Sequence, residues 1–411
     1  MNSPRNKLFV MMVLEFFIWG AWLPLIWTYM GPDGLNFSGS QQALVGSAFA
    51  IASVLGIFFS NQFADRNFSA ERFLAFSHLV GGLAILGMFF VKDFPVFFVL
   101  MLVHSLFYVP TISVANSLAF AHLQDAKKEF GFVRMGGTVG WILASWPLYF
   151  ILKGKIGPEA AQAAKFIFLV SGVASLALAL YSLTLPHTPP KKGAPGDSLA
   201  WLKAGRLLAI PYLLVLFIVT FIDATIHNGY FVMVGTFLGK AGIKPENIMP
   251  VMSIGQIAEI VTMLILGGVL ARLGWRTTMI LGILGHAARF AVFAFFPEST
   301  SLLIVVQVLH GICYAFFFAT VYIFIDAAFP KDVRSSAQGL FNLLILGIGD
   351  LAAKWIFIPL QGKYLTGEGL TGYRELFMVP SGMALAAAVL LAVAFHPPKE
   401  IDATGTAAAP H

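Results

Sequence analysis

The sequence predicts an all-α membrane protein of twelve transmembrane helices arranged as two pseudo-symmetric six-helix bundles. Three observations carry this. The 411 residues are 58% hydrophobic and only 11% charged, with a mean hydropathy of +0.82, where a soluble chain has roughly 25% charged residues. Apolar runs long enough to cross a bilayer recur about a dozen times. The longest polar break falls near the midpoint, and similar short sequences stand at corresponding places on either side of it.

A spanning helix needs roughly 20 predominantly apolar residues, and length together with polar or Pro/Gly-rich borders marks each run. The first, near 6–30, follows two basic residues as a signal peptide does. It is too long for one, contains Glu15 and lacks a small-x-small cleavage site, so it is read as an uncleaved span. Spans two to six follow near 40–61, 71–92, 95–123, 132–152 and 162–185. The break from Pro186 to Arg206, PHTPPKKGAPGDSLAWLKAGR, has the Pro/Gly/Lys composition of a linker. Spans seven to twelve follow near 208–239, 248–271, 277–296, 299–326, 335–360 and 375–396. The expected organisation is an N-terminal bundle over 1–187, a cytoplasmic linker over 188–207, a C-terminal bundle over 208–397 and a cytoplasmic tail over 398–411.

The net charge of +6 is explained by loops rather than by nucleic acid as a partner. With the N-terminus placed in the cytoplasm, the inner ends carry about twice as many Lys and Arg as the outer ends, so both termini are expected inside. The expected location is the inner, cytoplasmic membrane. Cys313 is the single cysteine, which excludes an intrachain disulfide and a thiol-based metal cluster. No Walker A loop, HExxH helix or GxSxG elbow is visible, and the spans leave no room for a soluble catalytic domain. An enzyme is therefore not expected, nor a cofactor or metal. A channel would need a continuous polar pore, whereas these spans carry isolated polar stripes.

The repeat is visible in short matches. Val133-Arg134 opens span five and Val333-Arg334 opens span eleven, and NQFADRNFSAER after span two has a counterpart in GVLARLGWR after span eight. These residues resemble the major facilitator superfamily, in which a Gly-x-x-x-Asp-Arg loop followed by another basic residue joins spans two and three. Asp65, Arg66 and Arg72 match that loop, with Asn61 in place of the glycine; the second copy has Gly268, and Arg272 in place of the aspartate. The resemblance implies that these four charged residues form a cytoplasmic gate. It also implies a substrate site near the bilayer midplane between the halves, with alternating access by rocking.

An ionisable residue at the bilayer centre costs about 2.5–3.5 kcal/mol on insertion scales, so each is a functional candidate. Asp350 and Lys354 lie four apart on span eleven, where they can neutralise each other or, facing a cavity, bind a polar substrate. Arg289 on span nine is expected to face outward, snorkelling or pairing with a neighbour. Asp326 and the cluster Lys331, Asp332 and Arg334 belong to the inner mouth. His78, His104, His122 and His286 are read as structural.

The remaining charges have companions at helical spacing. Glu15, Trp19 and Trp22 form one stripe on span one; Arg134, Thr138 and Trp141 another on span five; Asp223, His227 and Tyr230 a third on span seven, with Asn228 beside them. Gln256 and Glu259 stand one turn apart on span eight, as do His310 and Tyr314 on span ten. Flat rings flanked by amide, carboxylate and guanidinium groups suit a small, planar, polar solute.

In LEFFIWGAW (Leu14 to Trp22), VRMGGTVGW (Val133 to Trp141), GQIAE (Gly255 to Glu259), HGICYAFFF (His310 to Phe318) and VRSSAQGLF (Val333 to Phe341) the sequence resembles the bacterial nucleoside:proton symporters of that superfamily. The resemblance implies a nucleoside site that includes Arg134, Thr138, Trp141, Gln256, Glu259, His310 and Tyr314, with Asn228 as the span-seven amide. Glu259 would accept hydrogen bonds from ribose hydroxyls or a base edge. Members commonly have an aspartate, linked to proton coupling, directly after the second span-ten aromatic; this chain has Ala315 there. Proton coupling would then fall to Glu15, Asp223, His227 or Glu259, or be absent. The expected function is secondary active transport of nucleosides by alternating access with proton-coupled uptake, the chain acting as a monomer. The alternative is a facilitator or proton symporter for another small polar solute, such as a sugar or nucleoside derivative.

Overall fold

The structure is a computed structural model that describes residues 4–56, 68–124, 126–190, 205–329 and 334–398. Among them every regular element is a helix. Backbone polar groups find no water in hydrocarbon, so a chain this apolar must satisfy them within each segment, and the helix does so.

In the first half they are α1 (Pro4–Trp22), α2 (Gly39–Leu55), α3 (Ala70–Met88), α4 (Phe94–His122), α5 (Ala126–Leu143) and α6 (Phe166–Ser182). In the second half α7 is Pro211–Lys240. The stretch Pro245–Phe295 kinks at Gly274, whose φ of 70° belongs to the left-handed region and is not helical. It therefore holds two spans, α8 before Gly274 and α9 after it. Thr300–Ala328 is α10, Ala337–Tyr364 is α11 and Tyr373–Ala394 is α12. Ten described stretches are long and apolar enough to cross a membrane. Dividing Pro245–Phe295 and adding the 17-residue α2 gives twelve, as the hydropathy predicted.

Local chemistry sets the helix starts. Ser38 caps α2 in a reciprocal pair with Gln41, and the Asp93 side chain accepts from Val96 N at the start of α4. Two π-helical turns interrupt the regular winding, Tyr314–Ala319 in α10 and Leu343–Ile348 in α11. Such a turn rotates everything beyond it around the helix axis and is frequent at functional sites.

The chain packs as two compact units, Met1–Ala194 with Phe231–Ser253, and Pro195–Tyr230 with Ile254–His411. Lipid tails are as apolar as leucine, so helices in a membrane associate by close fit, and small residues permit it. In the first unit α1 packs on α5 and α6, α3 on α4 and α6, and α2 on α4. Gly136 and Gly140, four apart on α5, face the α1 backbone; a Cβ on Gly140 would stand 2.0 Å from Val13 O. In the second unit Gly311 of α10 abuts α8, where a Cβ would lie 2.2 Å from Glu259 N.

Asp65 and Arg66 of the expected gate, Lys331 and Asp332 of the inner-mouth cluster, Val333 of the repeat, the linker over 191–204 and the tail from 399 lie outside the described residues, as does the Arg334 side chain. Arg72 and Arg272 are exposed.

Candidate functional site

The first unit brings Arg134, Thr138 and Trp141 onto one face of α5, each half-buried. The Arg134 guanidinium lies over the Phe16 ring at 4.3 Å, a cation–π contact. Gly137 makes the space, since a Cβ there would stand 2.5 Å from Arg134 Nη1 and 2.7 Å from the Phe16 ring. Trp141 meets Trp19 edge-on at 5.4 Å, and Trp19 stacks on Phe49 at 4.8 Å. A half-buried cation thus stands beside a bank of indole rings.

Glu15 belongs to another arrangement. Fully buried, it accepts from Thr111 Oγ1 at 2.6 Å and from His78 Nε2 at 2.9 Å, while its backbone carbonyl accepts from Tyr108 Oη at 2.6 Å. These bonds tie α1 to α3 and α4. The spacing of Glu15 with Trp19 and Trp22 grouped it with the indoles; Trp22 is itself buried against Phe49 and His104.

In the second unit a polar cluster forms where α7, α8, α9 and α10 meet. The ring of His227 stacks on His310 at 4.9 Å, with Phe318 edge-on at 5.1 Å and Tyr314 at 6.1 Å. Gln256 Nε2 lies 3.4 Å from His310 Nε2. Gly255 lets α8 approach this closely, because a Cβ there would lie 2.8 Å from His310 Cβ. Glu259 is half-buried one turn along α8. Asn228 donates to Ala224 O at 2.9 Å and to Ile345 O at 3.0 Å, joining α7 to the π turn of α11.

Arg289 is the main correction to the sequence reading. Expected to face outward, it is fully buried, donating through Nη1 to His310 Nδ1 at 2.6 Å and through Nη2 to His286 Nδ1 at 3.1 Å. Its guanidinium also lies over the Tyr230 ring at 4.2 Å. Tyr230 Oη in turn donates to Gln307 Oε1 at 2.7 Å. His286 Nε2 faces Asp223 Oδ2 at 3.6 Å, and neither Asp223 oxygen has a hydrogen-bond partner. The guanidinium pulls inward because cation–π contact and two imidazole acceptors replace the water it gives up.

The sequence profile of the nucleoside H+ symporter family matches residues 2–400. Xanthosine permease of Escherichia coli (strain K12) is 29% identical, covering 97% of this chain and 98% of its own. YegT of the same organism is 32% identical over 351 residues, covering 84% of this chain and 81% of its own. The solved structure of the nucleoside transporter NupG is similar at a TM-score of 0.83 and 25% identity, covering 97% of this chain and 100% of that one.

The chain belongs to the nucleoside H+ symporter family.

It is a multi-pass membrane transporter of the major facilitator fold, not an enzyme. Likeness to a D-xylose-proton symporter, at 12% identity and a TM-score of 0.75, bears on fold alone. Within this member of the symporter family Asp350 and Lys354 form a buried ion pair on α11, one turn apart and directly after the π turn. Among the described residues no group of three or more His, Cys, Asp and Glu is disposed to hold a metal.

His78, His286, Arg289 and Gln307 take part in these networks without having been singled out as functional. His286 and Arg289 stand three apart on α9, a spacing the sequence shows. The contacts of His78 with Glu15 and of Arg289 with His310 join different helices, which sequence spacing does not reveal.

Proposed function

We propose that this symporter imports nucleosides across the inner membrane, both termini in the cytoplasm. Arg134, Thr138 and Trp141 supply a cation, a hydroxyl and an indole face. Asn228, Gln256, Glu259, His310 and Tyr314 supply amides, a carboxylate and further rings. Indole and imidazole faces suit a planar base, and side-chain donors and acceptors suit its edges and the ribose hydroxyls. The observation that carries this reading is the Gln256–His310 approach at 3.4 Å, which joins the polar residues of α8 and α10.

Asp223 is the proton carrier in this proposal. It is fully buried and its oxygens have no hydrogen-bond partner, whereas Glu15 is held by Thr111 and His78. A carboxylate buried in the membrane interior without a hydrogen bond is one whose charge a proton removes. His227 lies one turn from Asp223 and Glu259 on α8, so both are within the same unit as the proposed carrier.

One charge moving through about 100 mV releases roughly 2.3 kcal/mol, and each tenfold concentration ratio costs about 1.4 kcal/mol. One proton per neutral nucleoside therefore sustains accumulation on the order of fiftyfold. The test is uptake of labelled uridine and adenosine by proteoliposomes with and without an inward proton gradient. Overshoot with the gradient is the expected result. Uptake that only equilibrates would make the protein a facilitator, and competition by sugars without uptake of either nucleoside would assign another solute. The chain functions as a monomer in this reading, and transport activity of single-copy nanodiscs would test that.

A further inference from the structure

Arg289 touches two imidazoles through two different nitrogens, and the chemistry of that contact determines more than its own position. A guanidinium in a protein has only donors. Nη1 stands 2.6 Å from His310 Nδ1 and Nη2 stands 3.1 Å from His286 Nδ1, so both Nδ1 atoms must accept. A neutral imidazole whose Nδ1 accepts carries its hydrogen on Nε2. Both rings are therefore Nε2–H tautomers. For His286 that hydrogen is directed towards Asp223 Oδ2 at 3.6 Å.

For His310 the hydrogen is directed at Gln256. With the amide nitrogen of Gln256 turned to His310 Nε2 at 3.4 Å, two donors face each other, and Gln256 Oε1 is left buried without a partner. A half turn of the amide removes both faults, because Oε1 then accepts from Nε2–H. The amide nitrogen moves to the place vacated by the oxygen, where it can donate.

Gln256 cannot retreat from this pairing, since Gly255 holds α8 within contact of the His310 side chain. The Arg289 plane is itself held over the Tyr230 ring at 4.2 Å. Two donors at fixed separation are what a planar guanidinium provides and a lysine ammonium does not.

We propose that Arg289 is a positioning residue for substrate recognition: by holding His310 as the Nε2–H tautomer it turns Gln256 so that its amide hydrogens face the transported solute. The site then selects solutes that present a hydrogen-bond acceptor to Gln256, such as a base carbonyl, a ring nitrogen or a hydroxyl oxygen. This rests on the reading of Gln256 as a substrate contact.

Two measurements on the full chain in nanodiscs test it. Spectra of protein carrying 15N-histidine, with His310 assigned by the signals lost in His310→Phe, read the tautomer directly. A bare Nδ1 and a protonated Nε2 are expected; a protonated Nδ1 would overturn the proposal. Uridine affinity is then compared among the wild type, Gln256→Glu, Arg289→Lys and the double variant. A carboxylate can still accept from His310 but offers the solute an acceptor where the amide offered a donor. Gln256→Glu should therefore lose about tenfold or more in affinity, whereas unchanged or tighter binding would mean that the carbonyl faces the solute and would overturn the idea.

Arg289→Lys should release the tautomer, seen as a second set of His310 signals, and the double variant should bind little worse than Arg289→Lys alone. Additive losses with the His310 signals unchanged would leave Arg289 a structural residue. Should Arg289→Lys fail to fold, the wild-type spectrum and Gln256→Glu still decide. A wild type that binds no nucleoside would defeat the functional reading, while the tautomer measurement would continue to report on Arg289.

Discussion

Gly311 of α10 lies against the backbone of Glu259 on α8, so close that a Cβ at 311 would stand 2.2 Å from Glu259 N and 2.4 Å from Ala258 C. This contact sets how His310, the preceding residue, meets Gln256. Gly311→Ala must push the two helices apart, and overpacking of this kind costs about 1–3 kcal/mol. The expected outcome is a lower unfolding temperature together with a raised KM for uridine. A variant with wild-type melting and transport would show that the helices separate without consequence for the site.

The buried pair Glu15 and His78, 2.9 Å apart, should behave as a coupled unit. Removing one partner of a buried ionic or hydrogen-bonded pair costs about 3–5 kcal/mol, while replacing both is milder. His78→Leu is expected to be less stable than Glu15→Gln combined with His78→Leu. Thermal unfolding of the purified variants checks this, and simple additivity would contradict it.

Asp223→Asn separates coupling from binding. Gradient-driven accumulation of uridine should be lost, and counterflow exchange between internal and external uridine should persist. Loss of both would assign Asp223 to folding or to binding, and retention of both would move the proton to Glu15, His227 or Glu259.

Arg134→Lys keeps the charge but gives up the planar group over Phe16, which stands 4.3 Å away. Cation–π contacts contribute about 0.5–2 kcal/mol, so uridine affinity should fall by a few-fold to about thirtyfold. Titration calorimetry on the purified protein reads this, and Arg134→Gln should fall further.

Lys354→Met leaves Asp350 buried with no cation one turn away and should destabilise the protein by about 3–5 kcal/mol. Asp350→Asn in the same chain should restore much of the loss. If the double variant melts as the wild type does yet transports poorly, the pair also contacts solute.

Composition and periodicity were enough for the twelve spans, because the bilayer demands long apolar helices and imposes their length. Hydropathy also located the break between α8 and α9 near the kink at Gly274. The pairing of Asp350 with Lys354 was legible as well, since both sit on one helix at a spacing that brings them together. The stripes on α5, α8 and α10 were visible for the same reason.

Partnership between helices was decided only by tertiary structure. Glu15 was grouped by spacing with Trp19 and Trp22, yet its carboxylate is held by His78 and Thr111 from α3 and α4. Arg289 has a polar companion at helical spacing in His286 and is expected to face outward, yet it is buried and also meets His310 of α10 and Tyr230 of α7. The sequence by itself determined which segments enter the membrane and which residues share a helix face, both being properties of one segment and its solvent. Which buried charge meets which partner depends on the rotation and closeness of packed helices, governed here by contacts such as Gly140 on Val13 and Gly311 on Glu259. Those distances exist only once the helices are assembled.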